Sequence, residues 1–178
     1  MSTELDVVVV GAGGCGLAAA IAAHDAGVST AILEKLDRPG GNSSLSTGSV
    51  PAAGSRFQRE AGIVDSAERM EADLLAISGG TDEPELVRRL SEVSAETVEW
   101  LIDTVGARMQ LITAYKHIGH TVQRLHAPIS RRGQDLVGRP GQAAGRKPAP
   151  AVNGHDRSTD MLDGGRQVVR KAGQQAVR

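Results

Sequence analysis

The chain has 178 residues, a formal net charge of −1 and one cysteine. That length suits one domain of ordinary size, and the near-neutral charge gives no reason to expect a nucleic-acid or membrane partner. A single cysteine excludes an internal disulfide, and neither a secretion signal nor a run of the ~20 apolar residues that span a membrane is present, so we expect a cytoplasmic protein.

The first predicted element is a strand over residues 5–10 that leads directly into a glycine-rich turn. The turn GAGGCG occupies residues 11–16, and an alanine-rich helix over 14–26, a second strand over 28–34 and the acid Glu34 follow. Four consecutive valines suit a strand that is buried on both faces of a parallel sheet. This order predicts a dinucleotide-binding βαβ unit rather than an ordinary glycine-rich turn.

Each glycine of the turn has its own expected role. Gly11 permits the tight turn, and Gly16 lets the helix lie close to the strand. Gly13 and Gly14 leave no Cβ between the backbone and a pyrophosphate, towards which the helix N-terminus points unpaired N–H groups. Glu34 can accept hydrogen bonds from both hydroxyls of an adenosine ribose and would repel a 2′-phosphate. For the turn taken alone, NAD remains an alternative ligand.

The segment from Asp37 to Ser49 is rich in glycine and hydroxyl residues. A flexible loop is one interpretation. We favour a cofactor-lining loop, because small residues let the backbone approach a large planar ligand and Asn42 supplies hydrogen bonds. The predicted cofactor-binding residues are Gly11, Ala12, Gly13, Gly14, Cys15, Gly16, Glu34, Lys35, Gly40, Gly41, Asn42, Ser43, Ser44, Thr47 and Gly48.

These motifs together resemble the N-terminal part of the succinate dehydrogenase and fumarate reductase flavoprotein family, in its soluble branch of FAD-dependent oxidoreductases. The resemblance is carried by the βαβ unit with Glu34-Lys35, by Gly40-Gly41-Asn42-Ser43 and by Thr47-Gly48. It implies FAD, with its pyrophosphate on the glycine turn and its ribose on the acid. Membrane-complex members join a histidine of this loop to the flavin. Asn42 aligns there, which implies non-covalent FAD.

Two packing helices are predicted after residues 51–66, which continue the resemblance. The first lies near residues 66–78, with Asp65 and Glu68 as a capping box and Gly79-Gly80 as its end. The second is capped by Thr81 or Asp82, has Pro84 in its first turn and has Ser94 as a candidate restart point. We expect no catalysis from this segment.

The segment over residues 109–130 contains the candidate catalytic residue. His117 and His120 have a spacing that could bind a metal, but no third ligand is evident, so we predict no metal site. The residues around His126 resemble the family's entry to the substrate side of the flavin, where a histidine before a proline binds a substrate carboxylate. The resemblance therefore implies a catalytic role for His126, with a polar loop histidine as the alternative.

The composition changes after Val137. Residues 131–178 carry 10 basic and 4 acidic residues, whereas residues 1–130 carry 10 basic and 17 acidic ones. The Gly/Pro/Arg-rich tail over 138–178 is typical of a disordered or frameshifted segment, with a short helix expected within 166–177. Without interleaved aromatic residues, the basic tail does not predict nucleic-acid binding.

The predicted fold is α/β. It is a partial Rossmann-like, doubly wound FAD-binding domain over residues 1–137, in a three-layer ββα-type arrangement and without a capping domain. The resemblance implies hydride transfer between flavin N5 and a C–C bond that is activated by a carboxylate or carbonyl. The implied substrate is a small dicarboxylate or an enone, and the sequence does not identify the electron partner. The alternative is an inactive, truncated fragment that binds FAD or ADP.

Overall fold

A computed structural model describes residues 4–137 and the backbone of residues 167–170. Its elements in chain order are β1 (Val7–Val10), α1 (Gly14–Asp25), β2 (Thr30–Glu34), α2 (Gly41–Leu45), β3 (Val50–Pro51), α3 (Arg56–Glu60), α4 (Ala67–Ser78), α5 (Pro84–Asp103), β4 (Met109–Leu111), β5 (Leu125–Pro128), α6 (Gly133–Val137) and β6 (Gln167–Arg170). Within this part of the chain, no helix is both long and apolar enough to span a membrane.

The first sheet is parallel and has the strand order β1-β2-β6. Val7 pairs with Thr30, and Ala31 pairs with Gln167 on the other side of β2. Helix α1 packs on both β1 and β2, and Ala20 of α1 joins Ile32 of β2 in a buried core. The strand, glycine turn, helix and strand that the sequence predicts therefore follow one another in the structure.

One face of β1 is open to solvent. Val8 and Val10 are 50% and 82% exposed, whereas Val9 packs against the core beneath α1. The prediction that β1 is buried on both faces is therefore wrong for the described part of the chain. The alternation shows the reason: side chains of a strand point to opposite faces, and α1 covers only one of them.

The second sheet is antiparallel and has the order β3-β5-β4. Val50 of β3 and Leu111 of β4 both pair with His126 in the central strand β5, which is buried along its whole length. Helices α2 and α6 pack on each other, and α6 also contacts both α1 and β5. These short helices link the two sheets, while the predicted three-layer arrangement stays a prediction.

Helices α4 and α5 pack side by side and begin differently from the prediction. The N-cap of α4 is Ser66, whose hydroxyl accepts from the N–H of Arg69, so the predicted capping box of Asp65 and Glu68 is wrong. Asp65 is instead engaged by a distant arginine, described below.

Helix α5 is capped by Glu83 without a side-chain bond, so the predicted caps Thr81 and Asp82 are wrong. It runs through Ser94 unbroken, and the Ser94 hydroxyl donates to the Ser91 carbonyl within the helix. The predicted restart at Ser94 is therefore also wrong.

The prediction of a helix within residues 166–177 is wrong for the four described residues of this range, which form strand β6. Residues 167–170 are extended and pair in parallel with β2. Two adjacent valines favour a strand locally, and the pairing with β2 fixes it. The prediction of a disordered or frameshifted tail covers residues 138–178, of which 138–166 and 171–178 lie outside the described residues.

Candidate functional site

A cleft of about 510 Å³ opens where β1 and β2 end. Its volume falls in the range of small-molecule sites. Seven predicted residues line it: Gly11, Gly13, Glu34, Lys35, Gly41, Asn42 and Ser44. The other lining residues were not predicted individually, although the last three belong to the predicted cofactor-lining segment: Val10, Leu33, Leu36, Arg38, Pro39 and Leu45. The cleft therefore lies at the carboxyl ends of parallel strands, where α/β proteins place their ligands.

Two glycines of the turn serve opposite purposes. A Cβ built on Gly13 would meet no atom within 4 Å, so this residue faces open space. A Cβ on Gly16 would overlap the Gly11 carbonyl oxygen and lie 3.3 Å from a Val9 methyl. Gly13 thus leaves room for a ligand beside the start of α1, and Gly16 permits the close approach of α1 to β1.

Glu34 is buried at the end of β2 and is bonded through both carboxylate oxygens. Its Oε2 accepts from the Ala12 N–H at 2.7 Å, and its Oε1 accepts from the Leu36 N–H at 2.9 Å. The N–H groups of Leu36 and Ala12 hold the pKa of Glu34 below its ordinary value, although burial acts in the opposite direction. The side chain is therefore a fixed carboxylate at neutral pH, with lone pairs left for hydroxyl donors.

The segment after Glu34 docks on the glycine turn. The Gly40 N–H donates to the Ala12 carbonyl at 2.8 Å, and Gly40 forms a parallel bridge with Gly13. The Ser43 hydroxyl accepts from the Gly14 N–H at the start of α1, at 3.2 Å. The predicted cofactor loop is thus partly helical, as α2, and closes one side of the cleft.

The remaining predicted residues lie at the edge of the cleft or behind it. Ala12 is buried behind the turn, and Cys15 is exposed on the first turn of α1. The Thr47 hydroxyl bonds to the Ser49 hydroxyl, so it is engaged locally. Gly48 packs closely on Pro128 and Gly133, where a Cβ would lie 3.1 and 3.0 Å from their atoms. Gly48 therefore serves contact between segments of the fold.

His126 has no exposed surface, and both of its ring nitrogens are hydrogen-bonded. Nδ1 lies 2.8 Å from the Arg124 carbonyl, and Nε2 lies 2.9 Å from the Ser55 hydroxyl. A carbonyl can only accept, so we assign the proton of the neutral ring to Nδ1, and Nε2 accepts from Ser55. Burial lowers the pKa of His126, which favours this neutral form. Its catalytic role stays a prediction, and this arrangement favours a structural one.

A buried ionic cluster lies next to His126, and the sequence analysis did not predict it. The Arg124 guanidinium, which has no exposed surface, contacts Asp65 at 2.7 Å and Asp73 at 2.5 Å. Burial acts to raise the pKa of Asp73, but the N–H of Thr121 and the bonds from Arg124 outweigh it and lower that pKa to about 2. The two acids lie far from Arg124 in the sequence, so no local sequence pattern predicts the cluster.

His117 and His120 lie near each other, with ring centroids 5.5 Å apart. The part of the chain that the structure describes contains no group of three His, Cys, Asp or Glu side chains placed to hold a metal ion. Burial lowers the pKa of His120, and the positive charge of Arg124 acts in the same direction. A neutral imidazole is therefore favoured at this position.

The chain matches known proteins over most of its length. A sequence model of the family described as "FAD binding domain" matches residues 6–176. Urocanate reductase from Eggerthella lenta is 37% identical over 137 residues, which are 77% of this chain and 22% of that protein. NADH:fumarate oxidoreductase from Klebsiella pneumoniae is 43% identical over 123 residues, which are 69% of this chain and 13% of that protein.

The fold matches a solved flavocytochrome c3 fumarate reductase in its open conformation, with a TM-score of 0.67 and 32% identity. That match covers 76% of this chain and 24% of the other chain. A 3-ketosteroid dehydrogenase from Rhodococcus jostii matches with a TM-score of 0.61 and 25% identity, over 79% of this chain and 36% of the other. The chain spans less than a quarter of the length of the two curated relatives named above.

Proposed function

Because the chain belongs to the FAD binding domain family, we propose that it forms the cofactor-binding part of a flavoprotein oxidoreductase that acts on an activated C–C bond. FAD is the cofactor that the family match and the fumarate reductase fold support. The observation that carries the proposal is the open cleft at the glycine turn, with Glu34 fixed at its edge.

The residues of the cleft fit a dinucleotide. The open space beside Gly13 leaves room for a pyrophosphate next to the start of α1, where a helix N-terminus favours an anion. Glu34 is placed to hold the adenosine ribose through its remaining lone pairs. Asn42 lines the same cleft and carries no nucleophile that could form a flavin bond, which supports non-covalent binding.

When bound, FAD supplies a flavin N5 that gives or takes hydride. The chain binds and orients it. The N-terminus of α1 stabilises the negative charge of the phosphates, and Glu34 disfavours a ligand with a 2′-phosphate. Val10 and Leu33 provide apolar surface on which a bound ligand would pack.

The proposed substrate is a small dicarboxylate or an enone whose C–C double bond lies beside a carboxylate or carbonyl. The supporting observation is that two of the relatives are named for urocanate and fumarate. Because the chain spans less than a quarter of their length, turnover is proposed for a longer protein that contains this part. A second candidate is binding of FAD or ADP without turnover, which the cleft supports as well, because its described lining is suited to a nucleotide.

The test begins with the purified chain. We expect it to show the visible absorption of a flavin, or to gain that absorption and a higher melting temperature when FAD is added. A colourless chain whose melting temperature does not respond to FAD would overturn the proposal. Reduction of fumarate with a dye as electron donor then separates an oxidoreductase from a protein that only binds FAD.

A designed pair of variants makes the test specific to the cleft. Gly13 has an ordinary extended backbone and free space at its Cβ, so Gly13→Leu should fold and block the phosphate position. Ala76→Leu places a leucine on the exposed side of α4, outside the cleft. We expect Gly13→Leu to lose the FAD-dependent rise in melting temperature and Ala76→Leu to keep it.

A further inference from the structure

Ala12 lies within the glycine turn, and both its backbone N–H and its carbonyl are hydrogen-bonded to other segments. Its N–H donates to Glu34 Oε2 at 2.7 Å, and its carbonyl accepts from the Gly40 N–H at 2.8 Å. Ala12 is fully buried, so neither group is available to solvent or to a ligand. One buried peptide segment therefore joins the turn, the end of β2 and the segment that starts α2.

The Glu34 carboxylate is itself held in place by its own strand end. Its Oε1 accepts from the Leu36 N–H, two residues further along, at 2.9 Å. The Gly11 N–H also donates to the Leu33 carbonyl at 2.7 Å, which extends the pairing of β1 and β2 up to the turn. The turn is therefore fixed at Gly11 and Ala12 by the chain alone.

We propose that Glu34 is a positioning residue that holds the glycine turn in its binding shape before any ligand is present. This role is distinct from contact with a ribose, and its effect on nucleotide affinity rests on the proposed function. The buried Ala12 N–H needs an acceptor, and a carboxylate can serve this N–H through one oxygen and the part-buried Leu36 N–H through the other. A glutamine would offer one oxygen and turn its amide hydrogens towards the second N–H.

The charge of Glu34 makes the two roles separable. A fixed negative charge repels phosphates, so its neutralisation alone should strengthen the binding of an anionic ligand. If Glu34 instead positions the turn, Glu34→Gln should weaken that binding despite the favourable change in charge. The sign of the effect therefore distinguishes positioning from simple electrostatics.

Asp6 provides a matched control at the opposite end of the same strand pair. Its Oδ2 accepts from the Ser29 N–H at 2.8 Å and from the Ser29 hydroxyl at 2.6 Å. Asp6 thus links the start of β1 to the start of β2 with a carboxylate, as Glu34 does at their ends. Asp6 is exposed and lies outside the cleft, so Asp6→Asn tests the loss of a strand link alone.

The experiment measures the binding of ADP and of 2′,3′-dideoxy-ADP to the full chain by calorimetry. The second nucleotide lacks both ribose hydroxyls, so a hydrogen bond between Glu34 and the ribose cannot contribute to its binding. We expect Glu34→Gln to weaken both nucleotides by about 10-fold or more, and Asp6→Asn to leave both dissociation constants unchanged. A Glu34→Gln variant that loses affinity for ADP only, or binds dideoxy-ADP more tightly, overturns the positioning role.

Amide hydrogen exchange of the ligand-free chain gives an independent readout. We expect the Ala12 and Gly40 amides to be protected in the parent chain and to exchange at least 10-fold faster in Glu34→Gln, but not in Asp6→Asn. Unchanged protection in Glu34→Gln overturns the inference. If the parent chain binds neither nucleotide, the proposed function fails, while the exchange of these amides still decides the role of Glu34.

Discussion

The glycine turn and the Arg124 cluster show two ways of fixing a fold. Around the turn, backbone groups do most of the bonding, Glu34 is the one carboxylate acceptor, and the result is an open cleft. Around Arg124, side chains do the bonding, and Asp65 and Asp73 enclose a guanidinium with no exposed surface. The first region leaves space for a ligand, whereas the second leaves none.

The two regions therefore tolerate different changes. At Gly16 the turn depends on the absence of a side chain, so an added methyl group is the damaging substitution there. The cluster depends on the mutual neutralisation of buried charges, so a removed partner is the damaging substitution.

Arg124→Met should be the most destabilising change. It leaves Asp65 and Asp73 without their cation in a buried site, which costs about 3–5 kcal/mol. Urea unfolding measures the loss. Arg69→Met, an exposed arginine that bonds to Thr121 nearby, should cost less than about 1 kcal/mol. Equal losses for the two variants would show that burial of the charges does not matter here.

Gly16→Ala should destabilise the chain by about 1–3 kcal/mol, because its methyl group overlaps the Gly11 carbonyl and forces α1 away from β1. We also expect weaker FAD binding, measured by fluorescence titration. Gly13→Ala adds the same methyl group in free space and should cost less than about 1 kcal/mol, as an unfavourable helix cap. A larger loss in the free energy of unfolding for Gly13→Ala than for Gly16→Ala would contradict the prediction.

Acid should weaken the cluster in a defined pH window. The folded-state pKa of Asp73 is about 2, below its ordinary 3.8, so its stabilising contribution is present above pH 3.8 and is lost as the pH falls towards 2. Melting temperatures across this window should therefore fall less steeply for Asp73→Asn than for the parent chain. Parallel slopes for the two proteins would contradict the prediction.

Arg88→Ala should have the smallest effect. Arg88 pairs with Glu85 at 2.5 Å and with Glu92 at 3.0 Å on the surface of α5, where its side chain is 48% exposed. Exposed pairs of this kind contribute about 0–1 kcal/mol, and salt screens them. We expect a small loss in low salt that disappears in high salt, whereas the loss in Arg124→Met should persist.

The sequence was informative where the determinants are local. The turn, α1, β2 and Glu34 follow a fixed order within one βαβ unit, so their spacing predicted Gly11, Gly13 and Glu34 of the cleft, whereas Lys35, Gly41, Asn42 and Ser44 were predicted from the composition of the next segment and from the family resemblance. The αL end of α4 at Gly79 was also predicted, because glycine adopts a positive φ without strain.

The sequence was silent or misleading where partners are distant. Asp65 looked like a helix cap and instead pairs with Arg124. The bond between His126 and Ser55 also joins distant residues and was not predicted, while the catalytic role that the resemblance implies for His126 stays a prediction. Residues 167–170 looked like part of a helix until their pairing with β2 was known. Each outcome depends on tertiary contacts that no local pattern encodes.

The parallel pairing of β6 with β2 has a consequence for how the chain folds. The β1–α1–β2 unit closes over a short stretch of chain, whereas β6 must return from far along the sequence to reach β2. Loop closure becomes entropically costlier with length, so β6 should join the sheet late. Until it does, the far edge of β2 is an unpaired template for any other strand, and misfolding during synthesis should begin there.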